Sequence, residues 1–184
     1  MKGFSTASRV IIAVPQLQDP NFHRAVVVMI QHDPKGALGL ILNAPTTHHC
    51  TELVDSFGVP WPGRSEAVIC RGGPVEPQSL WMLHDDGWGF PETMRVSDGV
   101  AVSRSREALT RMCNGGEEHL RLLVGYAGWG PGQLENEIAT GSWILGEAST
   151  AMVFDWPPED IWRQSLDALG INPAFLVEGG HLIQ

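Results

Sequence analysis

Lysine is almost missing from this sequence. Lys2 and Lys35 are the only two among 184 residues, and 12 basic residues face 21 acidic ones for a formal net charge of −9. A surface that grips a phosphate backbone needs clustered cations to release counterions. Scattered arginines in an acidic background disfavour direct nucleic-acid binding, and the same charge disfavours adhesion to anionic lipid. The single Lys-after-glycine pattern of a phosphate-binding loop is absent as well, which excludes Walker-type nucleotide hydrolysis. Cysteine is sparse: Cys50, Cys70 and Cys113, with no Cys-x-x-Cys. That excludes zinc ribbons and thioredoxin-type pairs and suits a reducing cytosol. No apolar run approaches the ~20 residues that cross a bilayer. Met1 to Arg9 has no apolar core of a secretion signal. No Gly-x-Ser-x-Gly elbow and no His-Glu-x-x-His occurs, so the hydrolase and zincin routes lack their central residues. Two helices joined by a 3–4-residue turn, as DNA recognition by a helix-turn-helix requires, are not evident.

What is present is an ordinary apolar fraction of 43% and a low charged fraction of 18%. A chain of this length buries roughly 70% of its unfolded surface and needs no disulfide or metal to hold together. One domain over 1–184 is expected. Apolar, β-branched runs predict strands at 9–15, 25–31, 37–43, 67–70, 80–84, 99–102, 119–126, 143–145 and 151–154. The turn His32 to Gly36 makes a hairpin of the second and third. Helices are predicted at 52–57 behind Thr51, at 106–114 capped by Ser105, from Pro131 to about Thr140, and at 159–169 with Ile161, Trp162, Leu166 and Leu169 on one face. Strands outnumber helices and come in groups, which points to an α+β fold.

Several residue patterns could carry chemistry. Arg71-Gly72-Gly73-Pro74-Val75 is a glycine corner at a strand end, where a chain or ligand can come close and Arg71 can hold a carboxylate or phosphate as a fork. Gly125 to Glu135 (GYAGWGPGQLE) reads as a strand, a glycine-rich turn and a helix N-terminus, a geometry that offers free N–H groups to an anion. The dinucleotide fingerprint fails there, because Gln133 stands where its third glycine belongs. Cys70, beside Arg71, is a candidate thiolate. His84, before Asp85 and Asp86, is a candidate acid/base, although neighbours on a strand point to opposite faces. His48-His49-Cys50 has metal-ligand residue types, but no fourth ligand follows, so no metal site is expected. The same residues call for no cofactor.

Taken together, DPNF at 19–22, GALGLILN at 36–43, RGGPV at 71–75, the strand ending at His84, and GYAGWGPGQLE at 125–135 resemble the bacterial YqgE/AlgH family. The resemblance runs nearly end to end. It implies a coiled, partly barrel-like antiparallel sheet with flanking helices and a bacterial cytoplasmic protein. It carries no settled activity. Members are often labelled transcriptional regulators, a label that the acidic charge makes doubtful as a direct mechanism. The leading expectation is a regulatory module that binds a small polar ligand or a protein partner. Its site would form where the two glycine turns converge, lined by Asn43, Arg71, Gly72, Gly73, His84, Trp129, Gln133 and Glu135. An enzyme using His84, Glu135 or Cys70 is the second expectation, and an indirect transcriptional regulator the third. The sequence leaves the oligomeric state open.

Overall fold

The structure, a computed structural model, describes residues 3–178. The strands are β1 (Arg9–Ala13), β2 (Val26–Asp33), β3 (Gly36–Ile41), β4 (Pro45–His49), β5 (Val68–Arg71), β6 (Val75–His84), β7 (Met94–Ser97), β8 (Val100–Ser103), β9 (Leu120–Trp129) and β10 (Trp143–Glu147). The α-helices are α1 (Cys50–Asp55), α2 (Arg106–Asn114), α3 (Gln133–Ala139), α4 (Pro158–Ala168) and α5 (Pro173–Glu178). The result is a mixed α+β fold, a curled half-barrel sheet with helices on its flanks.

The sheet runs β10-β1-β2-β3-β9-β6-β8-β7, with β4 and β5 joined to it through β9. Every pairing is antiparallel except β5 with β9, where Cys70 faces Leu123 and Arg71 faces Val124. β9 is the spine. Its first half lies between β6 and β5, and its last three residues pair with β3, Trp129 facing Ala37.

The unbroken apolar runs of β1 and β2 have a direct cause: both faces of these strands are covered. Val10, Ile12, Val26 and Val28 pack with Ile161, Trp162 and Leu166 of α4. Their neighbours Ile11, Ala13, Val27 and Met29 point the other way, toward Trp129, Leu134 and Trp143 under α3. A third core joins Met82, Leu120 and Leu122 to α1 and α2. Each inward leucine or valine contributes about 1.5–3 kcal/mol on leaving water.

Several expected elements differ. The residues 151–154 form a one-turn π-helix, Ala151–Asp155, instead of a strand. The glycine-rich stretch after Tyr126 is strand up to Trp129, so the turn is shorter than its glycine content suggests. β4 and β7 are edge pieces with too little apolar alternation to predict, and α5 was likewise not foreseen. Ser105 does cap α2, accepting from the Ala108 N–H at 3.1 Å. His49, not Thr51, precedes α1, and its side chain makes no cap. Leu169, expected on the inner face, is the residue after the last turn of α4 and is 40% exposed.

Candidate functional site

The corner at 71–75 is expected to meet the turn at 128–132; Gly72 and Gly73 instead press on Val124 to Tyr126, inside β9 and before that turn. Gly72 N–H donates to the Val124 carbonyl at 2.7 Å, and the Gly72 carbonyl accepts from Ile41 N–H at 2.8 Å. A Cβ on Gly73 would lie 2.0 Å from the Tyr126 carbonyl carbon, and one on Gly72 2.4 Å from the Gly125 oxygen. Gly125 itself takes a left-handed φ of 73° to let the Gly73 carbonyl in. The glycines are spent on a backbone-to-backbone crossing that leaves no space for a ligand between the chains.

The polar residues expected around that crossing fall into separate settings. Asn43 accepts from Val26 N–H at 2.9 Å and donates to the Arg24 carbonyl at 2.8 Å, fastening the start of β2. Arg71 donates to the Asn21 side chain at 3.2 Å. Trp129 and Trp143 both donate their indole N–H to Glu137 Oε2 at 2.9 Å, and Gln133 donates to Glu137 Oε1 at 3.1 Å. Gln133 also accepts from Gly130 N–H at 3.0 Å, tying the turn to the start of α3. Glu135 leaves this group and accepts from His32 Nε2 at 2.7 Å. The His32 tautomer is fixed, since its Nδ1 accepts from Thr6 N–H at 2.8 Å.

His84 lies elsewhere. It pairs with Leu120 at the opposite end of β9 from Trp129, about 30 Å along the strand. It is fully buried, and both ring nitrogens are committed. Nδ1–H donates to the Asp85 carbonyl, so Nε2 accepts from Ser103 Oγ–H at 2.7 Å. Ser103 in turn accepts from Thr93, and Thr93 accepts from Phe90 N–H. Burial lowers the His84 pKa, and no nitrogen is left to move a substrate proton. Cys70 is 2% exposed, and burial raises its thiol pKa. A neutral, enclosed sulfur is a poor nucleophile. His48 and His49 are exposed on β4 while Cys50 is buried, and among the described residues no three candidate ligands converge on a metal position.

The open site lies elsewhere, and of these residues only Cys50 and Cys70 reach its lining. A cleft of about 860 Å³ lies over the first half of β9. One wall is the Trp61–Pro62–Gly63 loop. The other is the segment Phe154–Pro158, which leads out of the π-helix into α4. Gly63 lies under the Trp61 ring, and the Trp61 indole donates to the Arg64 carbonyl at 2.9 Å, so this wall is held in place. His119 stacks on Phe154 with ring centres 4.9 Å apart and planes 3° from parallel.

Arg121 lines the cleft from the strand beneath. It shares a face of β9 with Leu123, on the side of the α4 core. Its guanidinium donates to the Leu42 carbonyl at 3.1 Å and to the Trp156 carbonyl at 2.9 Å. Cys70 lies beside it, and the Arg121 charge lowers the Cys70 thiol pKa against the larger, opposite effect of burial. Burial lowers its pKa, yet a guanidinium stays charged. Among the described residues no carboxylate lies within salt-bridge distance of it, although Asp155 is near enough to favour its charge; its hydrogen-bonded partners are neutral. Sequence reasoning passed over it. The signal was there: one arginine inside the apolar run HLRLLVGY, in a strand covered on both faces.

The sequence profile of the AlgH-like family matches residues 10–174. A UPF0301 protein of Myxococcus xanthus is 41% identical over 175 residues, covering 94% of this chain and 96% of its own. One from Ralstonia pickettii is 35% identical over 93% of this chain and 92% of its own. Among solved structures, the AlgH protein from Pseudomonas aeruginosa superposes with a TM-score of 0.76 at 30% identity, covering 99% of this chain and all of the other. A protein from Corynebacterium diphtheriae gives 0.79 at 20% identity over 96% and 93%, a likeness of fold. Among the described residues no helix is long and apolar enough to cross a membrane. With the sheet order, the glycine crossing and these matches in hand, the chain belongs to the AlgH-like family.

Proposed function

We propose that this chain is a single-domain cytoplasmic binding module whose site is the cleft over Arg121, and that the ligand presents an anionic group to that guanidinium. The observation that carries this reading is the charge balance of Arg121. A half-buried cation is favoured by a compensating partner, and the two carbonyl dipoles with the nearby Asp155 carboxylate supply only part of it. A carboxylate or phosphate entering the cleft would complete the shell through a charge-assisted bond. The cleft volume falls within the ~300–1,000 Å³ of small-molecule sites, and rigid aromatic and proline walls suit a preformed one.

Calorimetry with small carboxylates and phosphates tests this. Binding that disappears in Arg121→Gln supports the site. Trp61→Ala, which removes the wall and one partly buried contact with the core beneath it, should weaken binding while an unfolding midpoint measured alongside shows the chain still folded, which guards against a trivial loss of structure. Anion binding that ignores both changes contradicts the proposal. Nucleic-acid regulation gains no comparable support: Arg24, Arg104, Arg106 and Arg111 each lie over a separate aromatic ring, Trp162, Trp81, Phe57 and Phe90.

A further inference from the structure

The charges of the cleft are sorted by depth. Arg121 is half-buried at the base, while Glu66, Glu118, Asp155 and Glu159 line the same cleft and are all exposed, Asp155 being the one near enough to act on the Arg121 charge. Arg64, also exposed, offsets one of the four. A purely anionic ligand therefore meets repulsion at the rim before it gains anything at the base, and a net charge of −9 adds to that barrier. Like-signed charges lining a low-dielectric cleft focus the field through its mouth, so the rim acts on every entering ion. A ligand with a carboxylate at one end and a cation at the other is favoured in both places.

We infer that the cleft selects a zwitterion, its carboxylate on Arg121 and its cationic group among the rim carboxylates. This rests on the reading of the cleft as an anion-receiving site. Two sources offer the same chemistry, a free basic amino acid and the C-terminus of a basic peptide. The cleft has room for either. The Trp61 ring, fixed on Gly63, gives the aliphatic stem between the two charges a flat apolar surface.

The experiment is calorimetric titration of the intact chain, at low and moderate salt, with four probes. They are Lys-Ala-Gly with a free C-terminus, the same peptide as its C-terminal amide, acetyl-Glu-Ala-Gly with a free C-terminus, and free L-lysine. The expected result is that Lys-Ala-Gly binds, and that amidation and the acidic replacement each weaken it by about tenfold or more, the value of a lost charge contact. The double variant Glu118→Gln/Glu159→Gln should narrow the gap between the basic and acidic peptides and leave the penalty of amidation in place. Binding of L-lysine equal to that of the tripeptide assigns the site to a small metabolite, and binding of the tripeptide alone assigns it to a chain terminus. If acetyl-Glu-Ala-Gly binds as well as Lys-Ala-Gly and still depends on Arg121, the zwitterion inference is overturned and the anion site survives. If no carboxylate probe binds, or amidation changes nothing, the zwitterion inference is overturned, and the anion site falls with it unless inorganic phosphate still binds in an Arg121-dependent way.

Discussion

The two halves of β9 sit in opposite surroundings. At its C-terminal half, Gly125 to Ala127 press backbone against backbone on Gly72 and Gly73, and Trp129, Gln133, Glu135 and Trp143 all have side-chain partners inside the protein. At its N-terminal half, Arg121 carries a charge that no bonded partner neutralises, beneath an open cleft. The half with the more unusual sequence is the closed one. Glycine density marks where chains must come close, and here they come close to each other.

The sharpest way to break this contrast is inside the glycine motif. Gly73→Ala puts a methyl where the Tyr126 backbone already lies and should destabilise by about 3 kcal/mol or more, visible as loss of soluble fold or a collapse of the denaturant midpoint. Gly128→Ala, with nothing nearer than 3.6 Å, should stay within about 0.5 kcal/mol of the parent. Equal effects would mean the crossing is looser than described. At the open half, Arg121→Gln should cost about 1–3 kcal/mol through the carbonyls of Leu42 and Trp156, and should abolish the anion response. At the closed half, Glu137→Gln should cost about 1 kcal/mol, as its indole bonds lose their charge, and leave ligand response unchanged.

How much of this was legible beforehand follows from the kind of physics involved. Strands covered on both faces announce themselves as runs such as VVVMI, and the cap at Ser105 depends on residues three apart; both can be read locally. The family resemblance also rested on contiguous motifs. The cleft depends on residues 61–64, 121 and 154–159, three separate stretches brought together only by the sheet order. His84 misled for the same reason. Beside Asp85 and Asp86 it resembles an acid/base pair, yet its partners are Ser103 and a main-chain carbonyl. Edge strands β4 and β7 carry polar residues because one side is wet, so periodicity could not find them.

Two smaller effects sharpen the same contrast. Burial holds the His84 pKa below its ordinary value of 6.5, so the folded state binds fewer protons there than the unfolded one. Stability should fall as pH drops below about 6.5, and His84→Gln should flatten that part of a pH series of unfolding midpoints. Burial also pushes Cys50 up to about 12 and Cys113 to about 11. Native protein at neutral pH should resist iodoacetamide at all three cysteines, and mass spectrometry should find full labelling only after denaturation. Rapid native labelling of Cys70 would reopen the nucleophile reading.

The most direct test is an ¹H–¹⁵N NMR titration with Lys-Ala-Gly, following the indole resonances. Saturable shifts at Trp61 and at the Leu120–Leu122 amides, with Trp129 and Trp143 unmoved, are the predicted result. Shifts concentrated at Trp129, Trp143 and Gly130 to Gln133 would place binding at the turn before α3 and contradict the account.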